Sequence, residues 1–445
     1  MIDSLIPDIK KFLYLFYIIT PEESLYKEVE KVPTYLNDLL PWFFVSITIE
    51  FFILTYNRQM AVSDLISSLS QGIIQDCVRI LFKFTGGISV YIWVYENWRL
   101  VDIPWNSTTA WWSCLLAVDF LFYWYHRAAH EIHFLWAVHQ IHHSSEEFHL
   151  STALRQSVSQ DFVMWISYIP IALFIPPPIY AVHVQFNLLY QFWIHNEFIN
   201  TLGPLEYIIN TPSHHRVHHG RNRYCIDKNY AGVLIIWDRM FGTFEPESDK
   251  VVYGLTHPLN TFDPIKVQFG HLLYLWNAFW EAKGAKNKLF TAIKGPGWKP
   301  GKPWHGDPED IPNVSYPVDK YNPQLDLWCC LYVLAHFFLI AVAYILLATH
   351  HKNYSYTTVM ICIVYIIYSL TVFGAIMDKK SYAPFLELSR CLSFLLLGSF
   401  NISARHTLIN LIFLLVWLFF LLSSMLWSII CLHIHMPKVF IEMYN

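Results

Sequence analysis

Eight histidines of the sequence fall in three short boxes, HRAAH, HQIHH and HRVHH, in which they are spaced three or four residues apart. They are His126 and His130, then His139, His142 and His143, and finally His215, His218 and His219. Because residues three and four apart lie on one face of a helix, each box can direct its imidazoles towards a single point. Neutral imidazole binds iron, zinc, copper and nickel, and eight such ligands exceed the needs of one ion. The pattern therefore predicts a site for two metal ions.

Further polar residues in apolar surroundings extend this candidate site. His195 ends the apolar stretch QFWIH, so we expect it to lie where a membrane helix meets the polar part of the chain and to act as a ninth ligand. Asp119 precedes the first box within an apolar run. We predict that its carboxylate orients a ligand imidazole by accepting a hydrogen bond from the ring nitrogen that does not bind metal. Other histidines lie off the box spacing or within apolar segments, and we interpret these as structural: His133, His149, His183 and His214.

The number and placement of the imidazoles narrow the chemistry of the site. A zinc hydrolase needs about three protein ligands and an open position, which is fewer ligands than the boxes supply. A membrane metal transporter is the alternative from another class, but its ligands are spread through the depth of the spans, often with repeat symmetry. Here the ligands cluster at the ends of spans, and the sequence contains no internal repeat. The pattern favours iron that passes through oxidised states and activates dioxygen.

Composition indicates an integral membrane protein. Of the 445 residues, 55% are hydrophobic and only 14% are charged, whereas roughly 25% of the residues of a soluble chain are charged. The net charge of −4 gives no indication of a nucleic-acid partner. The eight cysteines form no CxxC pair and mostly lie in apolar runs, so we expect buried thiols rather than disulfides.

Apolar stretches predict an all-α fold, a polytopic bundle of membrane helices. The candidate spans are residues 39–56, 80–95, 111–126, 162–194, 327–349, 357–377, 391–400 and 407–430. The stretch 162–194 is long enough for two passes, and its triple proline at 176–178 predicts a helical hairpin. We therefore expect N-terminal membrane spans in residues 1–110, a catalytic module with the histidine boxes in 111–320, and a C-terminal transmembrane bundle in 321–445.

Residues 196–320 contain more charges, prolines and turn residues than the flanking segments, and they predict a histidine-rich cap over the spans. Lys and Arg concentrate in HHRVHHGRNRYCIDK and at Lys379 and Lys380. The positive-inside rule then places the cap and its two-metal site on the cytosolic face of the membrane.

The three boxes, set between apolar spans, resemble those of the membrane fatty acid hydroxylase superfamily, whose members hold non-haem di-iron sites. The stretch NYAGVLIIWDRMFGTF is similar to the segment that follows the third box in that family. The resemblance is nearest to the branch that cleaves ether lipids, through strings such as YIWVYENWRL, SSEEFHLSTALRQS and TAIKGPGWKPGKP, and it extends from about residue 85 to residue 305. It implies that the eight box histidines and His195 hold two iron ions.

The resemblance also implies a reaction, a tetrahydrobiopterin-dependent monooxygenation by O2 of the ether-linked carbon of 1-O-alkylglycerols and lyso ether lipids. The resulting hemiacetal breaks down to a fatty aldehyde and a glycerol derivative. Glu131, directly after the first box, is the candidate contact for the pterin. Gln191 stands where some hydroxylases have a further histidine, which predicts a weaker or open position on one iron.

The family places such an enzyme in the endoplasmic reticulum membrane, as a multi-pass protein. Within the same superfamily, the alternative is a sterol or sphingolipid hydroxylase or desaturase that uses another electron donor. The sequence contains no HPGG-type haem-binding module, so it shows no electron supply of that kind within the chain.

Overall fold

The structure is a computed structural model that describes residues 9–56, 61–82, 87–398 and 407–435. Regular elements in these ranges are helices, and no β-strand occurs among the described residues. An isolated antiparallel bridge joins Gly220 to Tyr253. The predicted all-α class is confirmed.

The α-helices differ widely in length. They are α1 Ile9–Phe12, α2 Pro21–Ser24, α3 Tyr35–Asp38, α4 Leu40–Tyr56, α5 Val62–Phe82, α6 Ile88–Trp98, α7 Thr108–Glu131, α8 His133–His139, α9 Gln160–Met164, α10 Pro177–Trp193, α11 Pro212–His218, α12 Ile236–Phe241, α13 Pro264–Glu281, α14 Ala285–Ile293, α15 Leu327–His350, α16 Tyr356–Met377, α17 Ala383–Gly398 and α18 Thr407–His435. Short 3-10 helices occupy Leu13–Phe16, Val29–Lys31, His142–Ser144, Leu150–Leu154, Trp165–Leu173, Gly203–Tyr207, Arg223–Cys225, Pro308–Asp310 and His351–Asn353.

Backbone contacts divide the chain into two units. The first comprises Met1–Asn260 and Lys266–Asn322, and the second comprises Thr261–Ile265 and Pro323–Asn445. All three histidine boxes belong to the first unit. The assignment of residues 1–110, 111–320 and 321–445 to separate functional domains stays a prediction.

Four segments of the described ranges are long and apolar enough to cross a membrane, so the chain is a multi-pass membrane protein. They are Val29–Thr55, Leu327–Asn353, Tyr356–Met377 and Leu411–His433. Four of the predicted spans, 39–56, 327–349, 357–377 and 407–430, coincide with them. The stretches 80–95, 111–126, 162–194 and 391–400 are not among them, and residues 83–86 and 399–400 of these lie outside the described residues.

Two of the remaining stretches form helices of the first unit that bury one face and carry polar residues on it. Residues 111–126 belong to α7, which carries the buried Asp119. Residues 162–194 form α9, a 3-10 helix and α10, which carries the buried His183 and Asn187. The apolar residues on these buried faces therefore serve protein packing. The predicted break at the prolines is confirmed, since α10 begins at Pro177.

Helix α7 carries the first histidine box into the interior. The Ser107 side chain caps the helix by accepting a hydrogen bond from the N–H group of Ala110 at 3.1 Å. Buried apolar residues recur along the helix every three or four positions, and they form one core with the apolar face of α10: Trp111, Cys114, Val118, Val182, Phe186 and Leu189. His126 and His130 continue this stripe, so packing of the helix also buries their imidazoles.

The second unit contains a buried polar network among its helices. The guanidinium group of Arg390 in α17 donates to Glu387 Oε2 at 2.7 Å and to His336 Nδ1 of α15 at 2.9 Å. His336 Nε2 then donates to the hydroxyl of Ser423 in α18 at 3.0 Å. Since a charge buried among apolar helices is costly when unpaired, this network stabilises one arrangement of the three helices.

Candidate metal centre

The structure brings the nine predicted histidines together in two buried groups. The five-histidine group contains His126, His130, His139, His143 and His218, and the four-histidine group contains His142, His195, His215 and His219. Within each group, one ring nitrogen of every histidine lies within 4.8 Å of those of the others. This is the spacing expected of rings that share one ion.

The second and third boxes each contribute to both groups. The second box runs from the end of α8 into the 3-10 helix His142–Ser144, and His142 joins the four-histidine group while His139 and its i+4 neighbour His143 join the five-histidine group. In α11, His215 and its i+4 neighbour His219 join the four-histidine group, whereas His218 joins the five-histidine group. The two groups are in contact, because the His143 and His219 rings stack at 4.3 Å.

Backbone carbonyl groups fix the orientation of several imidazoles. His142 Nδ1 lies 3.3 Å from the Arg155 carbonyl oxygen and 3.4 Å from Gln156 Nε2. The Nδ1–H groups of three further histidines donate to carbonyl oxygens: His126 to Tyr230 at 2.8 Å, His195 to Gln191 at 2.7 Å, and His218 to Lys228 at 3.0 Å. A carbonyl oxygen only accepts, so the proton of each of these three rings is on Nδ1 and the lone pair is on Nε2.

These fixed lone pairs fit a cation. The Nε2 atoms of His142 and His195 face each other at 3.2 Å. The lone pair of His195 Nε2 therefore points at His142 Nε2, which is the arrangement of two rings that share a positive ion. In addition, the Nε2 atoms of three histidines are buried without a hydrogen-bond partner: His130, His218 and His219. Buried polar atoms are ordinarily paired, so the nitrogen-rich donor set fits two transition-metal ions.

The surroundings also keep the imidazoles in the form that binds metals. Burial lowers the pKa of His195 to about 3. Burial, together with neighbouring imidazoles, lowers the pKa of His143 and His215 well below the ordinary value of 6.5. These rings are therefore neutral at pH 7, and no proton competes with a metal ion for their lone pairs.

Comparison with known proteins relates the whole of this arrangement to one enzyme class. The fatty acid hydroxylase family matches residues 111–243, which include all nine histidines, and the alkylglycerol monooxygenase C-terminal domain matches residues 329–416. Over 393 residues, 88% of either protein, the chain is 49% identical to alkylglycerol monooxygenase of Danio rerio. The chain belongs to the alkylglycerol monooxygenase family. It is an enzyme, and the predicted resemblance is confirmed.

Other alkylglycerol monooxygenases are similar over the same length. The protein of Homo sapiens is 49% identical over 393 residues, again 88% of either chain. The protein of Caenorhabditis elegans is 39% identical over 408 residues, which are 85% of this chain and 79% of that protein. No solved structure matches the chain.

Asp119 acts on the centre through a loop that follows the third box. Its carboxylate accepts four hydrogen bonds of 2.8–2.9 Å, from the N–H groups of Val233 and Leu234, from Asn187 Nδ2 and from Trp237 Nε1. The predicted contact with a ligand imidazole is thus replaced by an indirect one. Asp119 holds the loop at Val233 and Leu234, and Asp238 holds it at Tyr230 and Ala231 by accepting from both N–H groups at 2.8 Å. The loop presents the Tyr230 carbonyl that orients His126.

The two remaining predicted residues lie beside ligands. The backbone carbonyl of Gln191 accepts from His195, while its side-chain amide donates to Asn187 Oδ1 at 2.9 Å. Glu131 ends α7 and accepts from Arg127 Nε at 2.8 Å. The contact of Glu131 with a pterin, and an open iron position beside Gln191, stay predictions.

The histidines interpreted as structural lie outside both groups. His133 Nδ1 donates to the Thr291 carbonyl at 3.0 Å, and its Nε2 lies 3.0 Å from His271 Nε2. His183 Nδ1 lies 2.8 Å from the Tyr17 hydroxyl. Both rings therefore have protein partners of their own.

An ion pair anchors the segment that carries the second box. His149 Nε2 lies 3.4 Å from Asp64 Oδ2, which also accepts from the Ser145 hydroxyl at 2.6 Å. Burial alone would lower the pKa of His149, but the charge of Asp64 raises it above 6.5. Burial would likewise raise the pKa of Asp64, but His149 and Arg155 lower it below 3.8. Arg155, whose carbonyl oxygen lies 3.3 Å from His142 Nδ1, is joined to this pair through its guanidinium group, 4.0 Å from Asp64 Oδ1.

The shifted pKa of His149 predicts a pH dependence of stability. A pKa raised by folding stabilises the protein fully below the unfolded value of about 6.5, and the effect is lost as the pH rises through the folded value. We therefore expect this contribution to the free energy of unfolding to fall as the pH rises above about 6.5 in thermal unfolding of the purified protein. The His149→Gln variant should lack this component, and equal pH slopes for both proteins would refute the ion pair.

The residues that sequence reasoning missed act mostly through their backbones. The carbonyl groups of Tyr230, Lys228 and Arg155 contact imidazoles. Because every residue has a backbone carbonyl, the residue types at these positions do not reveal the contacts. Gly232 is an exception that the motif NYAGVLIIWD does show. A Cβ atom at this position would lie 2.9 Å from Phe122 Cδ1 and 3.0 Å from Asp119 Oδ1, so only glycine lets the loop approach α7 this closely.

Proposed function

We propose that this protein is a tetrahydrobiopterin-dependent di-iron monooxygenase of 1-O-alkylglycerols and lyso ether lipids. One oxygen atom of O2 enters the C–H bond of the ether-linked carbon, the other leaves as water, and the two electrons come from tetrahydrobiopterin. The hemiacetal then divides into a fatty aldehyde and glycerol or its phospho derivative. This carbon is the favoured position because the lone pair of the neighbouring ether oxygen stabilises the electron-poor transition state.

The observation that carries this proposal is the pair of histidine groups, five and four neutral imidazoles in contact with each other. Two iron ions bound there would supply the activation of dioxygen. In this proposal the protein orients the rings through the carbonyl contacts, keeps them deprotonated by burial, and lays the lipid so that the ether carbon faces the irons. All nine histidines act as ligands, Glu131 contacts the pterin, and Asp119 and Gln191 support the ligands indirectly.

The proposal includes a location. Lys and Arg concentrate around the third box and at Lys379 and Lys380, which favours a cytosolic active site on a protein of the endoplasmic reticulum membrane. Residues 111–320 then form the catalytic module, and residues 321–445 form a transmembrane bundle.

Turnover by the purified full-length protein tests the reaction. With 1-O-hexadecylglycerol, O2 and tetrahydrobiopterin, we expect release of hexadecanal that stops when the pterin is left out. Turnover that requires a cytochrome and its reductase instead would favour a sterol or sphingolipid hydroxylase. Metal flux in vesicles without any turnover would favour a transporter.

A further inference from the structure

One face of helix α13 carries large apolar side chains that are exposed on the described part of the chain. The other face contains the buried residues Val267, Gln268 and Leu275, and Gln268 Nε2 donates to Gln71 Oε1 at 2.8 Å inside the first unit. The exposed residues recur at intervals of four, three and four positions, so they form one stripe along the helix. Each of them is 44–61% exposed: Phe269, Leu273, Trp276 and Trp280. Such a stripe marks a surface that is covered by an apolar phase or by a partner.

Helix α13 does not qualify as a membrane span. It has 18 residues, but it is not among the four segments of the described ranges that are long and apolar enough to cross a membrane. Half of its exposed stripe is tryptophan, which is enriched where lipid headgroups meet acyl chains. A helix of a membrane protein that has one apolar face and cannot span fits the plane of the membrane surface, with that face towards the acyl chains.

A run of lysines directly follows α13. Residues 282–306, which include α14, contain six lysines and no aspartate or glutamate: Lys283, Lys286, Lys288, Lys294, Lys299 and Lys302. Lys299 and Lys302 pair with Asp310 and Asp307. Among the described residues, the other four lysines form no ion pair with a carboxylate. Clusters of four to eight basic residues beside an apolar element are typical of segments that bind anionic lipids.

Several of these lysines lie against aromatic rings. Lys288 Nζ is 4.4 Å from the centre of the Trp280 ring, at the end of the exposed stripe. Lys294 Nζ is 4.4 Å from the centre of the Phe290 ring and 5.1 Å from that of Trp298. Their alkyl stems therefore run along apolar surface while the ammonium groups stay at its edge. This arrangement suits the boundary between acyl chains and headgroups.

Helix α14 is attached to the segment between the first two histidine boxes. The backbone N–H group of His133 donates to the Lys294 carbonyl at 2.8 Å, and His133 Nδ1 donates to the Thr291 carbonyl at 3.0 Å. Trp304 Nε1 donates to the carbonyl of Glu131, the residue after the ligand His130, at 3.1 Å. A surface that binds α13 and α14 therefore also fixes the position of the five-histidine group.

We propose that residues 266–302 bind the surface of a membrane that contains anionic phospholipids. The exposed stripe of α13 enters the boundary between headgroups and acyl chains, and the lysines contact the anionic headgroups. The metal-bearing unit is thereby held at one depth and orientation relative to the lipid. This binding requires only a multi-pass membrane protein and does not depend on the reaction that the metal centre catalyses.

Reductive methylation of lysines tests the proposal on the full-length protein in nanodiscs of phosphatidylcholine, with or without phosphatidylserine. By mass spectrometry, phosphatidylserine should slow methylation of Lys283, Lys286 and Lys288 about fivefold, the factor expected for one lysine at an anionic surface. High salt should remove this effect, because it screens exposed charges. Lys250 is the internal control, since it is exposed, lies outside the basic run and pairs with Glu197. Its rate should be the same in both nanodiscs.

Variants of the stripe test the apolar contact. Phe269→Gln/Trp276→Gln should abolish the slowing by phosphatidylserine, whereas the matched control Phe269→Leu/Trp276→Phe keeps the stripe apolar and should retain it. Both variants should keep the helical circular dichroism and the metal content of the wild type. Wild-type lysines that are methylated at equal rates in both nanodiscs would overturn the proposal. Slow methylation that requires two copies of the chain per nanodisc would also overturn it, because a second copy would then cover the stripe.

Discussion

Replacement of His143 by alanine should abolish ether-lipid cleavage, with a loss on the order of a thousandfold or more, as for removal of other residues that act as one catalytic unit. His143 lies between the two groups. Its ring is 4.7 Å from His130 and 4.6 Å from His218 of its own group, and it stacks on His219 of the other group. The variant removes one nitrogen donor of the five-histidine group and the ring through which that group contacts His219. We expect iron content to fall together with turnover.

If the His143→Ala variant keeps its fold, its loss of activity and iron does not come from misfolding. His143→Ala should elute from size exclusion like the wild type and retain its helical circular dichroism. His133→Gln is the matched control, since His133 is a buried histidine of the neighbouring helix α8 that pairs with Thr291 and His271 instead of the two groups. It should keep its iron. An active His143→Ala enzyme with full iron content would show that His143 is not a ligand.

Replacement of Asp119 by alanine should have the largest effect on stability. It removes a buried acceptor of four hydrogen bonds and leaves four donors without this partner, two of them buried and two partly buried. We expect the free energy of unfolding to fall by about 3–5 kcal/mol. The loop then keeps only its Asp238 contacts at Tyr230 and Ala231. Because this loop carries the Tyr230 carbonyl that orients His126, iron affinity should also fall by about 10-fold, the lower end of the range for removal of supporting contacts of metal ligands.

Chemical denaturation and iron titration of the purified variant measure the two effects. Asp102→Ala is the control, because the Asp102 side chain is 84% exposed and makes one ion pair with Arg99. It should change the free energy of unfolding by about 0.5 kcal/mol or less. If Asp119→Ala unfolds like the wild type and binds iron with the same affinity, the loop does not support the centre.

Histidine spacing alone identifies eight of the nine side chains that the fold brings together, and His195 is found from its place at the end of an apolar stretch. The reason is geometric, because i+3 and i+4 neighbours share a helix face and a buried stripe such as that of α7 carries them inward. Spacing does not show how the boxes divide between the two groups. In both the second and the third box, the i and i+4 histidines join one group and the i+3 histidine joins the other, and this division depends on where the tertiary packing places the two groups beside each helix.

Hydropathy predicts the four long apolar segments as membrane spans, but it also predicts spans in α7 and in residues 162–194. These elements are apolar on their buried faces, yet they carry Asp119, His183 and Asn187 inside the protein. An average over the stretch does not distinguish lipid contact from protein packing. The sequence does not predict the orientation of the imidazoles either, because this orientation depends on backbone carbonyl groups such as that of Tyr230.

Metal analysis of the purified wild-type protein tests the proposed di-iron centre without any assumption about the substrate. We expect about two iron atoms per chain by elemental analysis, with a Mössbauer spectrum of a coupled high-spin pair. A single zinc ion per chain, or iron below one atom per chain in protein that turns over, would contradict a di-iron centre.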